Sequence, residues 1–377
     1  MHKRILIFSL AYYPHVGGAE VAVKEITDRT PDIEFHMVTL RFSKEEAREE
    51  KIGSVMVHRI GLFGPSRFGK FVFQLAAARK AVALHRQQPF DATWAMMAHS
   101  AGVPAALFNL YYPKVPYVLT LQEGDPPKYI ERLMRPLWPL FARAFTRATV
   151  VQVISTFLGK WARWRGFRGP LEVIPNGVET KQFLGEGVAH DGVVLITTSR
   201  LVHKNAIDVV LRALPLLPHV EFNILGVGPE EKNLRALARE LGVEDRVHFV
   251  GFVAHAQLPA YLHRADIFIR PSRSEGMGNS FVEAFAAGIP VIATQEGGIS
   301  DLLFDAKKNP DKEPTGYAVA VESSEDIARA VNDIVENPHQ VLQVVAHARR
   351  FATSHFDWDT IAKDMQEKVF ARVLRNR

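Results

Sequence analysis

Short apolar runs alternate with helix-period segments along almost the whole chain. In the first half, runs near 4–10, 34–40, 54–60, 92–97, 116–121, 149–154 and 171–174 read as strands. Segments near 18–29, 70–87, 100–110, 128–147 and 156–165 read as helices. Gly185, Gly187 and Gly192 break this rhythm and predict a linker around 178–190. The second half restarts at Val193-Val194-Leu195-Ile196-Thr197 and continues with strands near 220–226, 246–250, 266–270, 290–293 and 316–320. Runs such as Ile267-Phe268-Ile269 and Val291-Ile292-Ala293 have no polar alternation. That marks strands covered on both faces, as in parallel sheets flanked by helices. After residue 322 only helical patterns remain, the last from about Asp359 to Leu374 with Ile361, Met365, Val369, Phe370 and Val373 on one face. No fixed-period repeat is present. The pattern predicts an α/β protein of two Rossmann-like domains with parallel sheets, facing across a cleft.

Composition narrows this picture. At 377 residues, 47% hydrophobic and 23% charged, the chain is globular and long enough for two domains. It has no run of eighteen apolar residues, the length a membrane-crossing helix needs. Met1-His2-Lys3-Arg4 leads into an apolar run too brief for a signal peptide. With no cysteine there is no disulfide, no thiolate chemistry and no cysteine metal site, which fits a cytoplasmic protein. Residues 1–185 carry 25 Lys and Arg against 15 Asp and Glu, while residues 186–377 carry 21 against 26. The basic first half points to an anionic partner for that half alone.

The candidate chemistry concentrates between Pro271 and Val291. A strand leads into a loop with Glu275, Gly276, Met277 and Gly278, then a helix with Asn279, Ser280 and Glu283. Loops at the carboxyl ends of parallel strands are where open α/β sheets bind ligands. Glycines let backbone approach a ligand, the helix N-terminus favours an anion, and a carboxylate there accepts hydrogen bonds from sugar or ribose hydroxyls. Ser280-Phe281-Val282-Glu283 also matches a helix capping box with Glu283 at its third position. Arg200 and Lys204, in Ser199-Arg200-Leu201-Val202-His203-Lys204-Asn205, follow the first strand of the second half and can clamp a diphosphate. Gly17 and Gly18 follow the first strand of the chain and open a helix. Gly297 and Gly298 precede another helix, and Gly228 and Phe252 stand in further strand-end loops.

Taken together, these segments strongly resemble the retaining glycosyltransferases of family 4, whose hallmark is an E-x7-E segment, here Glu275 to Glu283. The strings Tyr13-Pro14-His15-Val16-Gly17-Gly18-Ala19-Glu20, Val173-Ile174-Pro175-Asn176-Gly177-Val178 and Glu296-Gly297-Gly298-Ile299 resemble its N-terminal loop, its lead-in to the second domain and its donor-sugar loop. The resemblance implies a GT-B fold with residues 1–180 and a returning C-terminal helix 359–377 as the acceptor-binding domain. Residues 190–355 would be the nucleotide-sugar domain. It implies a donor linked to UDP, GDP or ADP, no metal or other cofactor, and retention of configuration. Arg200 and Lys204 would stabilise the leaving diphosphate, Glu275 would orient the sugar, and Glu283 would hold the ribose. Gly17, Gly18, His99, Gln122, Gly228, Phe252, Met277, Gly278, Asn279, Ser280, Gly297 and Gly298 would contact substrate.

This chain departs from the family in two places. Asn205 stands where many members have lysine. Gln122, in Leu121-Gln122-Glu123-Gly124-Asp125, stands where the family often has a histidine. Glutamine cannot act as a base, which leaves His99 for polar work there. Asp357-Trp358-Asp359 has the letters of a metal-binding D-x-D but begins the last helix, and reads as helix capping with a packed tryptophan. Three stretches mix cations with large apolar residues: Arg67–Phe73, Arg132–Trp138 and Lys160–Arg168. They suit either core packing or an anionic membrane interface, and hence a lipid-linked or glycan acceptor on the inner face of a membrane. No nucleic acid partner is implied. An epimerase or inverting transferase of the same architecture, or a non-catalytic nucleotide-sugar sensor, are the competing readings. A dehydrogenase is disfavoured because no G-x-G-x-x-G follows a strand with an acidic residue at the right distance.

Overall fold

The computed structural model describes residues 3–61, 66–188 and 190–375. Met1, His2, Asn376 and Arg377, which fall within the first domain's expected boundaries, lie outside the described residues. The chain divides into two compact units, Met1–Asn176 with Trp358–Arg377, and Gly177–Asp357.

The first unit is built on an eight-stranded sheet. Its strands are β1 (Lys3–Phe8), β2 (Ile33–Leu40), β3 (Glu49–Ile52), β4 (Val55–Ile60), β5 (Ala92–Met96), β6 (Tyr117–Leu121), β7 (Val150–Val153) and β8 (Leu171–Val173), in the order β3-β4-β2-β1-β5-β6-β7-β8. All neighbours are parallel except β3 and β4. The apolar run Ile5–Phe8 at the centre is fully buried. Strand order reverses between β1 and β5, so the crevice outside their carboxyl ends is the position where such sheets take ligands.

Three features of this unit differ from the periodicity. The edge strand β3, Glu-Glu-Lys-Ile, carries no apolar alternation and forms because Gly53, at φ 58°, turns the chain back onto β4. The expected helix at 128–147 is two helices, Pro127–Leu133 and Trp138–Thr146, joined by a short 3-10 turn at Arg135–Leu137. Pro136 and Pro139 supply no backbone N–H, so a continuous ladder cannot pass them. The last helix, Trp358–Asp364 continuing to Leu374, contains a π turn at Met365–Phe370. Trp358, Ile361, Met365, Val369, Phe370 and Val373 join the first unit's core, where the Phe370 ring meets Trp94 at 5.1 Å. The C-terminal helix therefore completes the first unit, as the fold expectation held. Asp359 bonds Arg29 at 2.7 Å, and Trp358 is buried.

The second unit has a six-stranded, wholly parallel sheet of β9 (Val193–Thr198), β10 (Val220–Leu225), β11 (Val247–Gly251), β12 (Ile267–Arg270), β13 (Val291–Ala293) and β14 (Tyr317–Ala318), ordered β11-β10-β9-β12-β13-β14. Here the order reverses between β9 and β12. Leu195, Phe222, Ile224, Ile267 and Ile269 from the sheet pack with Leu211, Leu214 and Ile327 from the helices in one core. Burying each such side chain stabilises the fold by about 1.5–3 kcal/mol. The segment after Asn176 packs on this unit: the Val178 N–H donates to the Phe356 carbonyl, and Phe183 is buried.

Candidate active site

A cleft of about 280 Å³ opens at the carboxyl ends of β9, β10 and β11 in the second unit, beside the point of strand reversal. Thr198, Ser199 and Arg200 line one side and Leu225, Gly226 and Val227 the next. Phe252, Val253 and Leu258 form an apolar wall, and Ser280 and Glu283 complete it from the helix Asn279–Ala287. Phe252 is 80% exposed, so its ring face is open to stacking.

The glycines around the cleft have specific reasons. Gly226 has φ 141°, and a Cβ there would lie 1.9 Å from the Ser199 carbonyl oxygen. At Gly228 it would lie 2.3 Å from the Leu201 carbonyl oxygen. Both let the β10 loop lie flat on the Ser199–Leu201 loop, fixed by Ser199 N–H to Leu225 O at 2.9 Å and Leu201 N–H to Val227 O at 3.1 Å. Asn205 is buried, and its amide donates to the Arg200 carbonyl at 2.7 Å. The residue standing in a lysine's place thus braces the loop that presents Arg200. Arg200 itself is exposed on the cleft. Lys204 sits on the 3-10 turn His203–Asn205, outside the residues lining this cleft.

Glu275 is held from two directions. One carboxylate oxygen accepts the Gly276 N–H at 2.8 Å, and the other accepts from Arg270 at 3.1 Å. Arg270, the last residue of β12, is 6% exposed, reaches the Thr198 carbonyl at 3.4 Å and lies 4.3 Å over the Phe281 ring. Burial lowers its pKa, opposed by the charges of Glu275 and Glu283, so one buried cation answers both carboxylates. The Gly297–Gly298 loop closes on the same backbone: Gly298 N–H donates to the Glu275 carbonyl at 2.9 Å. A Cβ on Gly297 would lie 2.2 Å from that oxygen. Arg273 then ties the loop to the Arg200 side. It bonds both Asp208 oxygens at 2.9 and 2.7 Å, pairs with Glu322, and donates its N–H to the Lys204 carbonyl at 2.7 Å. Hydrogen bonds to Asp208 and Glu322 raise its pKa, so it stays charged.

The capping-box reading of Ser280 and Glu283 does not hold. The helix begins at Asn279 with Gly278, at φ 90°, as its N-cap and no side-chain cap. A Cβ on Gly278 would lie 2.5 Å from the Phe281 ring, which explains the glycine. Ser280 and Glu283 are therefore inside the helix, and both face the cleft. Glu283 bonds His255 at 3.1 Å. Met277 is buried, which leaves its backbone as the part able to meet a ligand. Buried side-chain atoms without a protein hydrogen-bond partner include Ser199 Oγ and Ser280 Oγ, on residues that line the cleft, and Thr197 Oγ1, Arg270 Nε and Ser272 Oγ on the adjoining strands and loop. Native interiors rarely leave such groups unpaired, and the two hydroxyls on the cleft lining suit a polar ligand.

The other predicted residues lie in the first unit, at the carboxyl ends of β1, β5 and β6. The Gly17 N–H donates to the Glu20 carboxylate at 2.8 Å, opening the helix Gly18–Asp28. Gln122 accepts from the Asn176 amide at 3.2 Å. Met97, just after β5, has φ 68°, a sparsely populated conformation that side chains hold only when their surroundings impose it. Beyond it, His99 Nδ1 stands 3.5 Å from Glu123. Glu123 is 3% exposed; one oxygen accepts the Ala98 N–H at 2.6 Å and the other has no partner. Sequence reasoning named His99 and Gln122 but missed Glu123, Arg270, Arg273 and His255. An arginine ending a fully apolar strand, five residues before a loop glutamate, was the available signal for Arg270.

A separate cavity of about 330 Å³ in the second unit is lined by Val202, His203, Asp208, Arg212, Glu230 and Glu240 among others, with both signs of charge. Among the described residues, no group of three or more His, Asp or Glu side chains is placed to hold a metal ion, and no helix is long and apolar enough to cross a membrane.

Comparison with known proteins bears on the family and the fold. Residues 16–182 match the model of Glycosyltransferase Family 4, and residues 179–351 match that of Glycosyl transferases group 1. The chain is 30% identical over 245 residues to the GDP-mannose-dependent alpha-(1-6)-phosphatidylinositol monomannoside mannosyltransferase of Mycolicibacterium smegmatis; the match covers 58% of this chain and spans 62% of the relative's length. The structure superposes on sucrose-phosphate synthase from Thermosynechococcus elongatus with a TM-score of 0.83, 19% identity and full coverage of both chains. It superposes on Anabaena HepE in complex with UDP-glucose with a TM-score of 0.78 and 20% identity, over 98% of this chain and 100% of that one. These likenesses give the fold as GT-B, and with the two family matches spanning residues 16–351 the chain belongs to glycosyltransferase family 4.

Proposed function

We propose that the protein is a retaining glycosyltransferase that moves a hexose from a nucleotide diphosphate sugar to a lipid-linked or glycan acceptor in envelope or polysaccharide synthesis. The observation that carries this is the convergence of Arg200, Ser280 and Glu283 on one cleft, lined by two unpaired buried hydroxyls and backed by the Arg270–Glu275 pair. In this reading the Glu283 carboxylate accepts the ribose hydroxyls, and Phe252 flanks the base. The amides and side chain at Ser199 and Arg200 meet the diphosphate, with Lys204 as a second cation on the adjoining turn. Asn279, Gly278 and the backbone of Met277, with Gly297 and Gly298, surround the sugar, which Glu275 orients. The bond from the anomeric carbon to the phosphate oxygen breaks and a bond to the acceptor oxygen forms on the same face. The acceptor proton passes to the departing diphosphate, so the step needs no protein nucleophile and no metal. The mannosyltransferase and HepE are described with a GDP- and a UDP-linked sugar, which supports the donor class without choosing its base.

The test is a thermal-shift screen against UDP-, GDP- and ADP-sugars, followed by slow donor hydrolysis. One donor is expected to raise Tm in wild type, and Glu283→Ala to lose most of that shift; at a hundred times Kd the stabilisation is about 2.7 kcal/mol. A shift unchanged in Glu283→Ala would place the nucleotide elsewhere, and donor binding with no turnover alongside any acceptor would favour a sensor.

The first unit's basic stretches favour peripheral contact with the cytoplasmic face of a membrane as part of this proposal. Each puts some apolar residues in the core and leaves others outside. Phe73, Met134 and Trp161 are buried, whereas Phe68, Phe71, Leu133 and Trp164 are exposed beside Lys70, Arg132, Arg135 and Arg165. Arg165 lies 4.1 Å over the Trp164 ring. The side chain of Arg67, part of the first stretch, lies outside the described residues. Co-sedimentation with phosphatidylglycerol vesicles is expected at low salt, weakened several-fold by Phe68→Ala with Trp164→Ala and lost in high salt. Equal binding to neutral vesicles, or none at low salt, would contradict it.

A further inference from the structure

The Glu283 carboxylate is not alone in its corner of the cleft. His255 Nε2 bonds one of its oxygens at 3.1 Å, and that is the only hydrogen-bond partner of the carboxylate among the described residues. Its second oxygen remains free to accept. The imidazole is itself located from the other side by the edge of the buried Phe183 ring, 5.6 Å away between centroids. Phe183 belongs to the 3-10 turn Thr180–Phe183, which packs on the helix that carries Glu283. The carboxylate is thus held in one direction by a histidine whose ring packs on one side against an aromatic neighbour. A glutamate side chain has three rotatable bonds, and holding it costs rotamer freedom unless a partner does so in advance.

We propose that His255 is a positioning residue for the nucleotide, which aims Glu283 at the ribose and makes donor affinity depend on pH. The inference rests on the reading of this cleft as a nucleotide-sugar site. A carboxylate offers about four lone-pair directions; His255 occupies one and leaves the second oxygen with room for two vicinal hydroxyls. When His255 is protonated the bond to Glu283 is charge-assisted, and such bonds are roughly twice as strong as neutral ones. The cationic imidazole also offsets part of the negative charge brought by a nucleoside diphosphate.

The pH direction follows from the groups present. The hydrogen bond His255 donates to Glu283 raises the His255 pKa above its ordinary value, burial acts against it, and the Glu283 charge adds to the rise. On the helix Asn279–Ala287 Glu283 is the one ionisable side chain, and the turn His255–Gln257 brings no second charge. The Thr180–Phe183 turn brings Lys181, which is exposed, and Arg270 acts on Glu283 from the sheet side. An anionic ligand binding beside His255 is favoured by the protonated form. Nucleotide affinity is therefore highest below the raised pKa and falls as pH passes through it.

Isothermal titration with UDP, GDP and ADP between pH 5.5 and 8.5 tests this on wild type, His255→Gln, His255→Ala and Glu283→Ala. Glutamine keeps a donor near Glu283 but cannot titrate, and the nucleotide's own phosphate ionisation is common to every variant. The wild-type affinity is expected to fall about three- to tenfold more steeply across the range than that of His255→Gln, the difference between a charged and a neutral hydrogen bond. His255→Ala should be weak and equally flat, with kcat nearly unchanged at saturating donor. Should His255→Gln follow the wild-type profile while Glu283→Ala stays weak, the positioning role is wrong and the cleft assignment survives. If Glu283→Ala binds as wild type does, or wild type binds none of the three nucleotides, the cleft assignment fails and the inference with it.

Discussion

Glu275→Gln is expected to reduce transfer by about a hundredfold or more while leaving donor KM within a few-fold, because in the proposed reaction its charge acts on the sugar as the glycosidic bond breaks rather than on the nucleotide. The native carboxylate is fixed at both oxygens, by Gly276 N–H and by Arg270. Glutamine presents an amide NH2 group to one of these two donors and leaves the buried Arg270 charge uncompensated. That second effect destabilises the unit, by up to about 3 kcal/mol in the manner of a broken buried pair. The two consequences separate in the double variant Arg270→Met, Glu275→Leu. Removing both charges is expected to recover most of the lost Tm, since well-packed apolar replacements of a buried pair are often neutral. Turnover should stay low. Steady-state kinetics at saturating donor together with a melt of each variant decides this. A single variant with near-normal kcat would remove Glu275 from the reaction.

The second large effect is structural. Gly226→Ala places a methyl group 1.9 Å from the Ser199 carbonyl oxygen at a backbone φ of 141° that alanine avoids. The contact is with backbone, so no flexible side chain can yield. Either the β10 loop lifts off the Arg200 loop or the Gly226 N–H loses its 2.7 Å bond to the Gly251 carbonyl. A loss of about 3 kcal/mol or more is expected, which for a unit of this size lowers its Tm by about 6–12 °C. Nucleotide binding should weaken with it. Differential scanning calorimetry checks the outcome, and a Tm within 2 °C of wild type with intact nucleotide binding would show that the loops do not need to touch.

Much of this was legible in the chain itself, and the exceptions have physical causes. The central strands β1, β9, β12 and β13 are apolar runs buried on both faces, so they announced themselves. β3 did not, because an edge strand needs only a partner and a turn, and Glu-Glu-Lys-Ile carries neither alternation nor β-branched bulk except at its end. Ser280 to Glu283 fits the spacing of a capping box, yet Gly278 starts the helix early enough to turn both residues into the cleft. Spacing fixes which residues share a face; it does not fix where the first turn begins. Arg270 had a local signal, Glu275 five residues on; Arg273, His255 and Glu123 were missed for a common reason. Each acts through partners distant in sequence, such as Asp208 and Glu322 for Arg273, and no local pattern records such a pairing. Asn205 is the instructive departure: buried under the Arg200 carbonyl, it has a bracing role that its difference from the family's lysine did not suggest.

The position of the bound nucleotide decides the roles of these residues most directly. A crystal structure with the nucleoside diphosphate that gives the largest thermal shift would settle it. The prediction is ribose on Glu283, base beside Phe252, and diphosphate at Ser199 and Arg200. A nucleotide in the separate cavity beside Asp208, Arg212 and Glu240, with the Glu283 cleft empty, would contradict it.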